Sequence, residues 1–229
     1  MNTSLQTSIE CVLFDLDGTL IDTAPDFVVA VNQLVSEQDT DPVSAEAIHQ
    51  TVSDGARALT KLAFGIDETH ADFASLNQRL LDIYETTIQF TRASLYPGLP
   101  ALLDKLELQQ IPWGIVTNKP ERYTRPLLDK LGLLHRAGAV ICPDHVSERK
   151  PHPEAILLAC KQLQRETEKT VYVGDHIRDM QAAKNADVIA IAAAYGYLAI
   201  DSEVEAWQAD FILQESQQLE PLLNTLKFR

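Results

Sequence analysis

Basic residues are scarce in this chain: 19 Lys and Arg stand against 33 Asp and Glu, a formal charge of −14 over 229 residues. Partners that present rows of phosphate, nucleic acid or an anionic membrane surface, need a surplus of positive charge to meet them. Neither is expected, and an anionic ligand has to be caught locally. Cysteine is scarcer still. Cys11, Cys142 and Cys160 are odd in number and widely spaced, which suggests neither a disulfide framework nor a CxxC metal site; reduced thiols packed among apolar side chains are expected. Long apolar runs are missing too, none approaching the ~18 residues of a membrane span. The opening MNTSLQTSIE lacks a basic segment followed by an apolar stretch. A soluble cytoplasmic protein is expected, with no protein partner implied.

What is present is ample apolar material, 45% of residues, enough for one large domain or a domain with an insert. Short runs rich in Val and Ile recur at Cys11–Phe14, Ile111–Val116, Ala139–Cys142, Thr170–Val173 and Val188–Ala193, with a weaker one at Phe211–Leu213. Such runs read as buried parallel strands. From Leu99 onward helical periodicity fills the gaps, at Leu99–Leu108, Tyr123–Leu133, Glu154–Leu163 and Met180–Asn185. That alternation predicts an α/β fold, a doubly wound parallel sheet with right-handed crossovers. The stretch from about Thr23 to Arg92 differs. Pro25 suits a first helical turn, and Leu76–Ile88 carries an apolar stripe. A small helical domain over 23–92 is expected, inserted into a core made of 1–22 and 93–229.

The residues with chemical potential all fall just past the C-terminal ends of predicted strands, the edge where open parallel sheets bind ligands. The first strand runs into Asp15-Leu16-Asp17-Gly18-Thr19. A sharp turn at Gly18 can present both acids to one cavity, where their proximity pushes the two pKa values apart. The same residues also suit a solvated Asx turn. Thr117-Asn118 follows the second strand, offering a hydroxyl and backbone amides to phosphate oxygens, though it is equally at home in a loop. Lys150-Pro151 can meet both phosphate and a neighbouring aspartate; a lone lysine is otherwise usually solvated. Gly174-Asp175-His176-Ile177-Arg178-Asp179 places aspartates four apart across a strand-to-helix turn, a spacing that suits one hard cation or, alternatively, a helix cap.

The ordered set DLDGT, TN, KP and GDxxxD resembles the haloacid dehalogenase-like superfamily of phosphohydrolases over essentially the whole chain. The resemblance implies a Rossmann-like core and an Mg²⁺ cofactor. By it, Asp15 is the nucleophile and Asp17 the general acid and base, while Thr117, Asn118 and Lys150 clamp the phosphate. Asp15, the backbone carbonyl of Asp17, and Asp175 hold the metal. Asp179 orients Lys150 or the metal's waters, with Gly18, Thr19 and Gly174 in support. The helical insert is similar to the superfamily's smaller cap. The runs VSDGARAL, WGIVTNKP, ICPDHV, KPHPE, VGDHIRDM and YGY further resemble phosphoglycolate phosphatases and, more closely, N-acetylmuramic acid 6-phosphate phosphatases. Both act on small anionic phosphate monoesters that carry a carboxylate, which Arg57 in the insert's Ser53-Asp54-Gly55-Ala56-Arg57 loop can grip bidentately; a solvated Arg57 at a helix N-terminus is the other reading. His176 stands where many relatives have Ser or Thr.

Other activities fit less well. A receiver domain also uses acids, Thr and Lys at strand ends but is about half this length. Dehalogenation has no leaving oxygen for Asp17 to protonate. A sugar phosphomutase shares both aspartates and stays open, and a non-catalytic binding relative would be expected to lose one of Asp15, Asp17, Lys150 or Asp175.

Overall fold

The computed structural model describes residues 9–199 and 202–226, so most of the N-terminal segment read for targeting signals lies outside the described residues. Strand β1 (Cys11–Phe14) leads to a two-residue strand, β2 (Ile21–Asp22). Four helices follow: α1 (Ala24–Glu37), α2 (Ala45–Thr51), α3 (Ala56–Phe64) and α4 (Phe73–Ile88). The chain then forms β3 (Ser94–Leu95), which pairs antiparallel with β2. From there strands and helices alternate through α5 (Leu99–Leu108), β4 (Trp113–Val116), α6 (Glu121–Lys130), β5 (Ala139–Ile141), α7 (Glu154–Leu163), β6 (Thr170–Gly174), α8 (Ile177–Asn185) and β7 (Ile189–Ala193). Strand β8 (Phe211–Leu213) and helix α9 (Leu219–Thr225) complete the series.

Six strands form one sheet in the order β5-β4-β1-β6-β7-β8, every pairing parallel. The chain moves outward from β1 through β4 and β5, returns to β6 on the other side of β1, and moves outward again. This is the doubly wound order, and its reversal lies between β1 and β6, where diverging loops open a crevice at the carboxyl ends of the strands. Both faces of the sheet are covered. Val12, Phe14, Val171 and Val173 pack with Leu102, Leu106, Leu127 and the insert's Val31, Leu80 and Ile83; Cys11, Leu13 and Tyr172 pack with Ile156, Ala159, Met180 and Ala183. Burial on both faces is why the strands read as unbroken apolar runs instead of alternating ones. The cysteines are free and buried, and among the described residues no helix is long and apolar enough to cross a membrane.

Three elements differ from the sequence reading by two residues or more, and β5, β6 and β7 by one. Strand β4 starts at Trp113, not Ile111, because Pro112 has no N–H for the ladder and the Ile111 N–H already donates to Leu106 O at 2.8 Å, closing the end of α5. Helix α6 begins at Glu121 and stops at Lys130, ahead of Gly132 at φ +69°. Helix α8 begins at Ile177, not Met180, with His176 as its cap.

Candidate active site

The two aspartates of the first loop face different partners. Asp15 prolongs β1, its N–H donating to Val173 O at 2.8 Å, which sets it beside the end of β6. The chain then turns: the N–H groups of Leu20 and Ile21 donate to Leu16 O at 3.1 and 3.0 Å, and Gly18 N–H donates to Ile21 O at 3.0 Å. The carbonyl of Asp17 takes part in none of these bonds. Gly18 has φ +77°, and a Cβ there would fall 2.1 Å from Asp175 Oδ2. Backbone conformation and space both require glycine.

Lys150 comes in from the loop after β5, its side chain only 1% exposed. An ammonium has three N–H groups. Those of Lys150 go to Val116 O at 3.0 Å, Tyr172 OH at 2.7 Å and Asp179 Oδ1 at 2.7 Å. Asp15 Oδ1 lies 2.9 Å from the same nitrogen but meets it as a charge, without a directed hydrogen bond. Asp179 also accepts the His176 N–H on Oδ2 at 3.1 Å, so both of its oxygens are engaged. Its close approach depends on Gly174, where a Cβ would stand 2.4 Å from Asp179 Cβ. His176 caps α8, its Nδ1 accepting from Arg178 N–H at 3.1 Å.

Asp175 is buried beneath this pair and accepts from Thr19 Oγ1 at 3.3 Å, Ser53 Oγ at 2.9 Å and Tyr197 N–H at 2.9 Å. Burial pushes the Asp15 carboxyl up to about 6 against the pull of Lys150. Burial, with Asp15 and Asp179 close by, pushes Asp175 well above the usual carboxylate range. Asp15, Asp175 and Asp179 bring oxygens within 4.8 Å of one another. Two buried acids and the partly buried Asp15, two of the three paired with Lys150 and with Asp15 Oδ1 unbonded, form a donor set that suits a hard divalent cation. Asp179 and Asp175 both have their two oxygens engaged, and Asp15 Oδ1 is the acid oxygen of the three residues that lacks a hydrogen-bond partner.

Asp17 points elsewhere. Its Oδ1 accepts from Lys119 Nζ at 2.8 Å and from Thr23 Oγ1 at 2.5 Å. Lys119, 6% exposed in its side chain, sits over the Tyr84 and Phe27 rings at 4.6 and 5.1 Å, and those rings stack on each other 4.1 Å apart. Burial disfavours the ammonium, but the adjacent Asp17 carboxylate outweighs burial and raises the lysine's pKa.

Two expected residues are placed differently. Asn118, read as a phosphate ligand, has its side chain committed to the backbone of Lys150: Nδ2 donates to Lys150 O at 3.1 Å, and Oδ1 accepts Lys150 N–H at 3.2 Å. That side chain positions the lysine loop, while the neighbouring Thr117 Oγ1 accepts Lys119 N–H at 3.1 Å. Arg57, read as reaching the site, instead pairs with Glu68 at 2.7 Å on the surface, the two side chains 68% and 44% exposed. From the same loop it is Ser53 that touches the core, through Asp175 and through Arg178, which donates to the Ser53 carbonyl. Lys119, Ser53 and Tyr197 stand within quoted runs of the sequence, but neither they nor Thr23 carry a site role in the sequence reading. Lys119 is enclosed by Asp17 and by the stacked rings of α1 and α4, a setting that depends on where the insert lies.

Known proteins resemble this chain in sequence and in fold. The family model for haloacid dehalogenase-like hydrolases matches residues 12–193. The N-acetylmuramic acid 6-phosphate phosphatase of Pseudomonas aeruginosa is 36% identical over 216 residues, covering 94% of this chain and 95% of that one. The phosphoglycolate phosphatase of Xanthomonas campestris is 39% identical over 211 residues, covering 91% and 93%. Among solved structures, a predicted phosphoglycolate phosphatase from Haemophilus somnus shares the fold with a TM-score of 0.81 at 23% identity, covering 96% of this chain and 99% of its own.

Proposed function

The chain belongs to the haloacid dehalogenase-like hydrolases and is a phosphoric monoester hydrolase of that family, and on that premise we propose that it dephosphorylates a small carboxylate-bearing phosphate monoester through a phosphoryl group carried on Asp15. N-acetylmuramic acid 6-phosphate and 2-phosphoglycolate are the substrates that the two relatives' names support. The setting is cytoplasmic, with a small metabolite as the partner. Residues 23–92 serve as a cap over a catalytic core of 1–22 and 93–229.

The observation that carries the reading is the division of two buried lysines between two acids: Lys150 lies 2.9 Å from Asp15, and Lys119 lies 2.8 Å from Asp17. Lys150 draws the phosphoryl oxygens toward Asp15 and offsets the repulsion between two anions. An Asp15 oxygen then bonds to phosphorus as the bond to the leaving oxygen breaks, and Asp17 supplies that oxygen with a proton. In the second half, water attacks phosphorus, Asp17 takes the proton, and the bond from Asp15 to phosphorus breaks to release orthophosphate. Mg²⁺ held by Asp15, Asp175 and the Asp17 carbonyl supplies further neutralisation of the phosphoryl oxygens when bound. Thr117 and the loop amides hold the phosphate against that charge.

A panel of phosphate esters assayed with Mg²⁺ tests this. N-acetylmuramic acid 6-phosphate is expected to exceed N-acetylglucosamine 6-phosphate in kcat/KM by about tenfold or more, since only the former has the lactyl carboxylate. Equal values would overturn the carboxylate assignment. Asp15→Asn, nearly isosteric and far less nucleophilic, is expected to leave less than about a hundredth of kcat in a folded protein; a larger residue would overturn the covalent route.

A further inference from the structure

Tyr197 closes the run YGY and lies outside DLDGT, TN, KP and GDxxxD, yet it joins two parts of the site. Its backbone N–H donates to Asp175 Oδ2 at 2.9 Å. Its phenol, at the other end of the side chain, accepts the N–H groups of Thr23 at 2.5 Å and Ala24 at 2.8 Å and donates to Asp22 Oδ1 at 2.8 Å. Thr23 is the cap residue of α1 and Asp22 ends β2, so the hydroxyl sits where the chain leaves the sheet and enters the helical insert. Thr23 has no side-chain cap bond of its own to α1, its hydroxyl being engaged with Asp17. The phenol therefore shares the capping from a distance in sequence with Asp22, whose Oδ1 also accepts the Ala24 N–H at 3.1 Å. One donor and two acceptor positions are a hydroxyl's full capacity; here all three are filled, in a residue that is 2% exposed. The ring is held on both sides: His49 of α2 meets it edge-on at 4.7 Å, and Gly18 leaves it room, a Cβ there falling 2.7 Å from a ring carbon.

We propose that Tyr197 is a positioning residue that couples the state of Asp175 to the pose of α1 and the insert it begins. One rigid side chain spans from the acid assigned to the cation to the strap entering the insert. A movement of Asp175 toward a bound ion passes through the Tyr197 backbone to the hydroxyl, and from there to Asp22, Thr23 and Ala24. Thr23 also holds Asp17, so the strap touches both the metal-side acid and the proton-carrying acid. The inference rests on the reading that Asp175 serves the metal.

Hydrogen–deuterium exchange on the full chain, with and without saturating Mg²⁺, reads this coupling without turnover. In the wild type, Mg²⁺ is expected to slow exchange at Thr23, Ala24 and the first turns of α1 about fivefold or more. Tyr197→Phe keeps the ring and the N–H to Asp175 while deleting the hydroxyl. Exchange at those amides is expected to rise about tenfold and to lose most of its response to Mg²⁺, while the Mg²⁺ concentration that half-protects residues 174–180 changes less than about threefold. With N-acetylmuramic acid 6-phosphate, kcat in this variant should fall about tenfold at unchanged Mg²⁺ half-saturation. If Tyr197→Phe does not fold, the wild-type exchange measurement decides by itself, because the coupling requires Thr23 and Ala24 to respond to Mg²⁺. Wild-type amides at Thr23 and Ala24 that ignore Mg²⁺, or a folded Tyr197→Phe protein with the wild-type response, would overturn the proposal. A protein inactive on every ester would count against the phosphatase reading alone, because the exchange measurement needs no substrate.

Discussion

Arg57 and Lys119 show how little a residue's type says about its work. Arg57 lies in a surface ion pair with Glu68, and such pairs contribute about 0–1 kcal/mol. Arg57→Ala is therefore expected to change kcat/KM for N-acetylmuramic acid 6-phosphate by less than about threefold. A loss of tenfold or more confined to carboxylate-bearing esters would show that the arginine reaches the substrate after all. Lys119 is enclosed by Phe27, Tyr84 and Asp17. Removing one partner of a buried pair strands the other charge, at a cost of about 3–5 kcal/mol, here leaving Asp17 with Thr23 alone. Lys119→Met should lower kcat about tenfold or more on every phosphate ester, carboxylated or not, because the acid and not the substrate has lost its partner. Wild-type kcat in that variant would remove Lys119 from the machinery.

At the scale of elements, the six parallel strands were legible because burial on both faces leaves a continuous apolar signature, as in Thr170–Gly174, where every residue is buried. The β2–β3 ribbon left none. Two residues per strand are too few for any periodicity, and its Ser94 is exposed. The motif positions were legible for a related reason: Asp15, Thr117 and Asp175 sit one residue past their strands, so finding the strands finds them. The reach of Ser53 and Tyr197 was not legible, because it depends on where the insert lies against the sheet. The start of α8 was hidden differently, since its first turn is Ile-Arg-Asp and presents no apolar face. Its signal was the cap, with His176 accepting from Arg178 N–H and Asp179 returning a bond to His176 N–H. His176→Ala should cost about 0.5–2 kcal/mol, the range for losing an N-cap, lowering Tm by several degrees. His176→Asn should restore most of the loss. Equal destabilisation in both variants would show that the ring matters through packing near Trp207, 6.4 Å away, and not as a cap.

The whole molecule carries an excess of 14 negative charges, and the site concentrates the problem. Asp15, Asp175 and Asp179 lie together at the sheet's reversal, and among the described residues Lys150 is the cation paired with them, at Asp15 and Asp179. Burial raises both Asp15 and Asp175, which means the folded chain is held against the preference of its own acids for water. A divalent cation bound there would relieve that repulsion in the native state and would find no comparable site in the unfolded chain, so its binding would add to stability by mass action. At about a hundred times its dissociation constant, Mg²⁺ should contribute ~2.7 kcal/mol, a rise in Tm of about 5–10 °C for a chain of this size. Excess chelator should abolish both the rise and the activity, and Mg²⁺ should restore both. Ca²⁺ should stabilise yet inhibit, because its looser, higher coordination lets a carboxylate such as Asp15 bind through both oxygens and leaves no oxygen free to attack. Asp175→Asn removes one negative charge from the cluster. Its metal-free form should therefore melt no lower than the metal-free wild type, while its Mg²⁺-dependent rise should shrink to less than about half. A wild-type rise in Asp175→Asn, or full activity in excess chelator, would remove the ion from this crevice.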